Sequence, residues 1–384
     1  MKSVYSPNLQ VFNESQLKKL HKIIDTPALL IIEDRLDRNI LQMQTLADEN
    51  YSWLRPHIKT HKSADIAHRQ IILGASGITT AKLSEAEIMY EAGVDDIFIA
   101  NQITHPLKIN RLIILHSQCR VIIGIDNEQQ IELLRPAFQK TIKPLEVRIE
   151  IDSGFSRCGI KDNKALLNLA QKIMAEPWLL LEGIFTHAGQ VYSASTETEV
   201  AKIGEAEAKA VELAHTFLHK KGIEVQTVSV GSTPTAKYSV RNDAVNEIRP
   251  GNYVFYDGIQ LTLGSARAES CSLFVLATVI SQPQKDQIVI DAGSKALGLD
   301  RGAHSMQLLT GYGTPVNIRA TIERLSEEHG ILKLDQAQIV ELGSPVIILP
   351  NHACSVANLF EKYYLINEHL EMEMINISAR KKSQ

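Results

Sequence analysis

The 384-residue chain has little that would tie it to a membrane, to nucleic acid or to an oxidising compartment. No apolar run approaches the roughly 20 residues of a membrane span. Met1 to Gln10 carry no basic start followed by an apolar stretch, so no signal peptide is expected. Basic charge is scattered: 40 Lys and Arg stand against 44 Asp and Glu, a net charge of −4. Only Arg380-Lys381-Lys382 forms a run, and it reads as a solvated tail, so a footprint for nucleic acid is missing. The four cysteines, Cys119, Cys158, Cys271 and Cys354, are far apart and show no CxxC spacing. A disulfide framework is therefore not expected, and a reducing cytoplasm is the simplest home. There is no low-complexity stretch and no short repeat. With 44% hydrophobic and 22% charged residues, what remains is a globular chain long enough for two domains.

Between Thr26 and Asp257 short β-branched or apolar runs alternate with helical stretches. Eight candidate strands can be read there: Trp53–Ile58, Gly77–Thr79, Asp96–Ile99, Arg120–Ile125, Leu145–Ile151, Leu181–Phe185, Gln226–Val230 and Ile248–Phe255. Helix-like segments such as Ser63–Leu73, Ser84–Ala92, Pro106–His116, Lys164–Met174 and Thr196–Lys220 lie between them. Ser84, with Glu87 three residues on, has the form of a capping box. The alternation argues for parallel βαβ units and an α/β fold of the TIM (β/α)8 barrel type, with a doubly wound open sheet as the alternative. Past about Leu263 strand-like runs at Ser272–Ser281, Gln287–Asp291, Ile339–Leu342 and Pro345–Leu349 are separated by turns, and only the last ~30 residues look helical. The expected division is a barrel over residues 26–262 and a C-terminal mostly-β domain over 263–384, with the lead 1–25 free to pack on either.

In such barrels the chemistry collects at the C-terminal ends of the strands, and phosphate often sits at the loops after strands 7 and 8. Lys59 falls at the end of the first strand, inside the His-flanked segment Arg55-Pro56-His57-Ile58-Lys59-Thr60-His61-Lys62. Partial burial and nearby positive charge would lower its pKa and free the amine as a nucleophile for Schiff-base formation with a carbonyl compound. After the seventh strand comes Val230-Gly231-Ser232-Thr233-Pro234-Thr235. Its glycine permits close approach, its hydroxyls donate, and Pro234 can open a helix whose N-terminus favours an anion. The turn Glu247 to Tyr253 adds a cation, Arg249, and a phenol, Tyr253. Two further polar strand ends are Ile151 to Gly159, holding Arg157, and Phe185 to Tyr192, holding His187. In the second domain, His352 and Cys354 stand at i and i+2, on one side of an extended segment, and an imidazole plus a thiolate suits Zn²⁺ better than Mg²⁺. Two protein ligands leave open positions, as a catalytic metal requires.

As a set, the segments Arg55 to Lys62, Val230 to Thr235, Arg249 to Asp257 and Pro350 to Cys354 resemble the D-serine dehydratase and D-threonine aldolase group. That group belongs to the fold-type III enzymes that use pyridoxal 5'-phosphate (PLP), with an alanine-racemase-like barrel and a C-terminal β domain. The resemblance runs in order over nearly the whole chain. It implies Lys59 as the Schiff-base lysine and catalytic base, Gly231, Ser232 and Thr233 as the phosphate cradle, and His352 and Cys354 as ligands of a divalent metal, zinc first, with manganese or magnesium as alternatives. Similarity to alanine racemases implies that His187 packs against the cofactor ring and that Arg249 faces its pyridine nitrogen. Tyr192 resembles a tyrosine near the cofactor in the D-serine dehydratases. Where relatives often carry a second tyrosine seven positions earlier, this chain has Phe185.

The activity so implied is a lyase of 3-hydroxy-D-amino acids. The leading reading is dehydration of D-serine to pyruvate and ammonia, and the alternative is retro-aldol cleavage of the D-threonine aldolase type to glycine and an aldehyde. His-x-Cys resembles the dehydratases, whereas the aldolases more often resemble His-x-Asp. A racemase would need an opposite-face base that nothing here supplies. A non-catalytic PLP carrier resembles the barrel alone, without a second domain. The implied assembly is a homodimer, and the implied partner is a small D-amino acid.

Overall fold

The computed structural model describes residue 9, residues 11–303 and residues 307–384; apart from Leu9, the expectation about Met1 to Gln10 lies outside the described residues. Helices α1 (Glu14–His21), α2 (Glu33–Glu49), α3 (Ala64–Ile72), α4 (Leu83–Glu91), α5 (Pro106–Gln118), α6 (Glu128–Phe138), α7 (Asn163–Met174) and α8 (Glu197–Lys220) precede or connect the strands. After β1 (Ala28–Ile32) come β2 (Trp53–Leu54), β3 (Ile78–Thr80), β4 (Asp96–Ile99), β5 (Arg120–Ile125), β6 (Leu145–Glu150), β7 (Leu179–Phe185), β8 (Thr227–Val230) and β9 (Glu247–Ile248). The last eight form one sheet in the order β2–β9–β8–β7–β6–β5–β4–β3, parallel at every pairing. A parallel bridge between His57 and Thr79 joins its two edges and closes the barrel.

The pleat sorts side chains onto two faces. Val147 and Ile149 of β6 join the main apolar core with Ile97, Ile99 and Ile123. The alternate residues point into the barrel, where the filling is partly ionic. Arg148 pairs with Glu182 and Glu247 (both 2.5 Å), and Arg55 pairs with Glu247 (2.8 Å) and Asp96 (2.5 Å). Above this layer Phe98, Ile122 and Phe185 form a small apolar cluster of their own. Glu247 is held well below the usual carboxylate range: burial would raise its pKa, but the guanidinium groups of Arg148 and Arg55 outweigh it.

The second sheet has nine strands: β1 together with β10 (Leu273–Gln284), β11 (Gln287–Ile290), β12 (Thr314–Pro315), β13 (Ala320–Leu325), β14 (Gly330–Leu334), β15 (Pro345–Leu349), β16 (Lys362–Ile366) and β17 (Met372–Asn376). β1 lies within the stretch assigned to the barrel, yet it hydrogen-bonds between β10 and β16. The lead also packs here, since Leu17, Leu20 and Ile24 share a core with Phe274, Leu276 and Ile347.

Several sequence expectations need correction. Ile339–Leu342 is not a strand, and Ile339 is exposed. The last thirty or so residues are not helical: β16 and β17 pair antiparallel there, and Tyr363 and Leu365 bury alternate positions as a strand does. Ile248–Phe255 is strand only to Ile248, because Pro250 lacks an N–H and a short 3-10 turn follows at Asn252–Val254. Ser84 caps nothing. Instead Glu85 accepts from the N–H groups of Ala81 and Lys82 (2.8 and 3.1 Å), and Ser84 Oγ donates to Gln384 O (2.6 Å).

Candidate active site

β2 is short, but the chain stays extended to the His57 bridge and then turns, with Lys62 N–H donating to Ile58 O (2.8 Å). Lys59 thus stands at the C-terminal mouth of the barrel. It faces a cleft shared with Arg157, His187, Tyr192, Gly231, Ser232, Thr233, Arg249 and Cys354. Burial lowers the Lys59 ammonium pKa, and Arg157 and Arg249 add to this against the opposing charge of Cys354. Burial likewise keeps His57 and His187 well below the usual imidazole range, so both rings are neutral.

The loops after β7 and β8 are tied together. His187 Nδ1 bonds Gly231 O. Glu207 of α8, fully buried, accepts from Ala188 N–H (3.1 Å), Gly231 N–H (3.2 Å) and Thr235 Oγ1 (2.6 Å). Arg249 donates to Ser229 Oγ and to Thr186 O (2.7 Å) and lies over the Phe98 and Phe185 rings at 5.5 and 5.2 Å. Burial lowers its pKa to about 10, which leaves it cationic at neutral pH. The helix expected to open at Pro234 begins later and is short, Ala236–Ser239.

Cys354 reaches the same cleft from the second domain. Its Sγ lies 3.1 Å from Thr60 Oγ1, on the residue next to Lys59, and 3.8 Å from Asn252 Nδ2. His352 and Cys354 do not share an extended segment as their spacing suggested, because a helical turn, Ala353–Ala357, begins between them. The two side chains nevertheless lie close enough for each to shift the other's pKa. Burial would raise the Cys354 thiol, but His352, Thr60 and Lys59 bring it below its ordinary value. Burial would lower His352, but Asp300 and Cys354 raise it well above.

Nine of the ten residues expected at the site line this cleft or stand beside one that does: Lys59, His187, Tyr192, Gly231, Ser232, Thr233, Arg249 and Cys354 line it, with His352 beside Cys354. Tyr253 is the exception and corrects the expectation. Its phenol accepts from Gln70 Nε2 (2.8 Å) in the core, and only its backbone N–H approaches the loop, at Thr233 Oγ1 (3.2 Å). Sequence reasoning missed Glu207, which reads as one more charge on a helix rich in Glu and Lys. It also missed Asp300, the partner of His352 at 2.8 Å, which no motif marks.

The cleft fits a phosphorylated carbonyl cofactor. Lys59, Arg157 and Arg249 line it, and among the described residues no Asp or Glu does. Ser232 Oγ is buried there, and among the described residues it makes no hydrogen bond of good geometry. A Cβ on Gly231 would stand 3.1 Å from Arg249 Nη2, and one on Gly251 2.8 Å from His57 O, so side chains there would close the floor. The imidazole and low-pKa thiolate of His352 and Cys354 are a soft donor pair that fits a zinc-like ion.

Residues 31–258 match the family described as "Alanine racemase, N-terminal domain", and residues 272–366 match "Putative serine dehydratase domain". The chain is 35% identical over 355 residues to a D-threo-3-hydroxyaspartate dehydratase of Delftia sp. (strain HT23), covering 88% of this chain and 93% of that one. It is 31% identical over 361 residues to a D-threonine aldolase of Arthrobacter sp, covering 93% of each. Among solved structures, a D-threo-3-hydroxyaspartate dehydratase with a cysteine replaced by alanine, in the metal-free form, superposes with a TM-score of 0.87 at 33% identity over 93% of this chain and 98% of that one. A second structure of that enzyme replaces a histidine two positions before this cysteine. Among the described residues, no helix is long and apolar enough to cross a membrane.

Proposed function

Because the chain belongs to the alanine racemase-like family that carries a serine dehydratase domain, we propose that it is a PLP- and divalent-metal-dependent lyase of 3-hydroxy-D-amino acids. Its preferred reaction on this reading is dehydration, with D-serine giving pyruvate and ammonia. The observation that carries the reading is the convergence of Lys59, from the barrel, and Cys354, from the β domain, on one cleft.

Lys59 would hold the cofactor through Nζ, Gly231, Ser232 and Thr233 would cradle its phosphate, His187 and Tyr192 would pack beside its ring, and Arg249 would lie toward the ring nitrogen. PLP, when bound, supplies an electron sink that acidifies the α-proton. The free Lys59 amine would take that proton on the D face; its lowered pKa suits it to the task. His352 and Cys354 would hold a metal that, when bound, would supply a Lewis acid for the β-hydroxyl. Arg249 remains cationic at neutral pH, so it would disfavour a proton on a ring nitrogen bound beside it. The cleft's other arginine, Arg157, half exposed at the mouth, faces incoming carboxylate.

Retro-aldol cleavage is the second reading, supported by the 31% identical D-threonine aldolase. The His-x-Cys spacing shared with the dehydratase structures favours elimination. Product analysis of the holoenzyme with D-serine, D-3-hydroxyaspartate and D-threonine separates the two. Keto acid and ammonia, lost on chelation, are expected; glycine with an aldehyde would assign the protein to the aldolases instead. We also propose a homodimer, to be checked by light scattering.

A further inference from the structure

We propose that Asp300 is a positioning residue for the metal, holding His352 in the one tautomer and orientation that presents Nε2 as the ligand atom. The proposal rests on the reading of His352 and Cys354 as metal ligands.

Asp300 follows the short helix Ser294–Leu297, more than fifty residues from His352 in sequence, yet segment 351–355 grips it at three points. Asn351 Nδ2 donates to its backbone O (3.0 Å) and also to Gly311 O (3.0 Å), which fixes the loop. His352 Nδ1 meets carboxylate Oδ2 at 2.8 Å. Ser355 Oγ donates to the same oxygen at 2.5 Å. A carboxylate only accepts, so Nδ1 must carry the hydrogen, and in the neutral ring the free lone pair is then on Nε2. This is the carboxylate–histidine arrangement that orients a metal-bound imidazole and raises its basicity.

Two alternatives are weaker. As a third ligand, Asp300 would have to reach Cys354 as well as His352. Among the described residues, however, no third His, Cys, Asp or Glu brings a ligand atom within 4.8 Å of both. As a plain salt bridge it would do little, because the Asp300 side chain is 40% exposed and solvent screens such pairs. A purely structural role therefore predicts almost no effect on metal affinity.

The test uses the full chain loaded with PLP, with zinc affinity read by competition against a chromophoric chelator and PLP affinity read by absorbance. Asp300→Ala should weaken zinc binding about 10- to 100-fold, the range for such outer partners, with PLP affinity and thermal midpoint unchanged. Asp300→Asn, whose amide oxygen still accepts from Nδ1, should recover part of the loss. Unchanged zinc affinity in Asp300→Ala, while His352→Ala loses it, overturns the proposal and leaves the ligand assignment standing. Wild-type affinity in His352→Ala, or no zinc binding by the wild type, overturns the ligand assignment itself and the proposal with it.

Discussion

The loop that carries Lys59 also carries a second buried group with a measurable consequence. Burial holds the His61 imidazole neutral down to about 3, from an ordinary 6.5. The unfolded chain therefore takes up this proton first as the pH falls. The stability involved is fully present above about pH 6.5 and is lost progressively toward the folded-state value. In thermal denaturation scans of the apoprotein from about pH 7 to 4, His61→Gln should flatten the fall in midpoint relative to wild type; an equally steep fall would contradict the assignment. Single residues also show what sequence can disclose. Lys59, Gly231 and Arg249 were legible because polar residues at strand ends stand out against apolar strands. Tyr253 looked equivalent, but which way a phenol turns beside a Pro-Gly turn depends on packing, and Gln70 on α3 captures it. Asp300 had no local signal, since its partner lies in a different segment.

At the scale of elements, the barrel is held from within by charge as well as by apolar packing. Glu247 of β9 bridges Arg55, just past β2, and Arg148 of β6, so one carboxylate ties three strands together. Removing it takes one of two carboxylate partners from each of two buried guanidinium groups, and breaking such a buried pair costs about 3–5 kcal/mol. Glu247→Gln should lower the unfolding free energy by that amount in urea titrations at neutral pH; a loss below about 1 kcal/mol would show that the network contributes little. The pattern was partly legible, because Arg148 and Glu150 alternate with Val147 and Ile149. The same alternation gave the eight parallel strands. It failed where strands are short or end in proline, as at β9, and in β16 and β17, where tyrosines and methionines give no clear period.

On the scale of the molecule, the site belongs to neither domain alone. The second domain braces the Lys59 loop: Tyr363 of β16 donates to His61 O (2.7 Å), Ala379 N–H donates to Lys62 O (2.9 Å), and Cys354 meets Thr60. β1, drawn from the barrel half of the chain, sits inside the second sheet, so the two halves interlock. Sequence showed two textures but not this crossing, because strand partners separated by more than two hundred residues leave no local trace. On the proposed function, Lys59 is the point where cofactor, substrate and the Cys354 side of the cleft would meet. Reduction of the PLP-loaded protein with borohydride, followed by digestion and peptide mass mapping, tests it most directly. A pyridoxyl group on Lys59, absent from Lys59→Ala, is the predicted result; a pyridoxyl group on any other lysine of the wild-type protein would contradict the account.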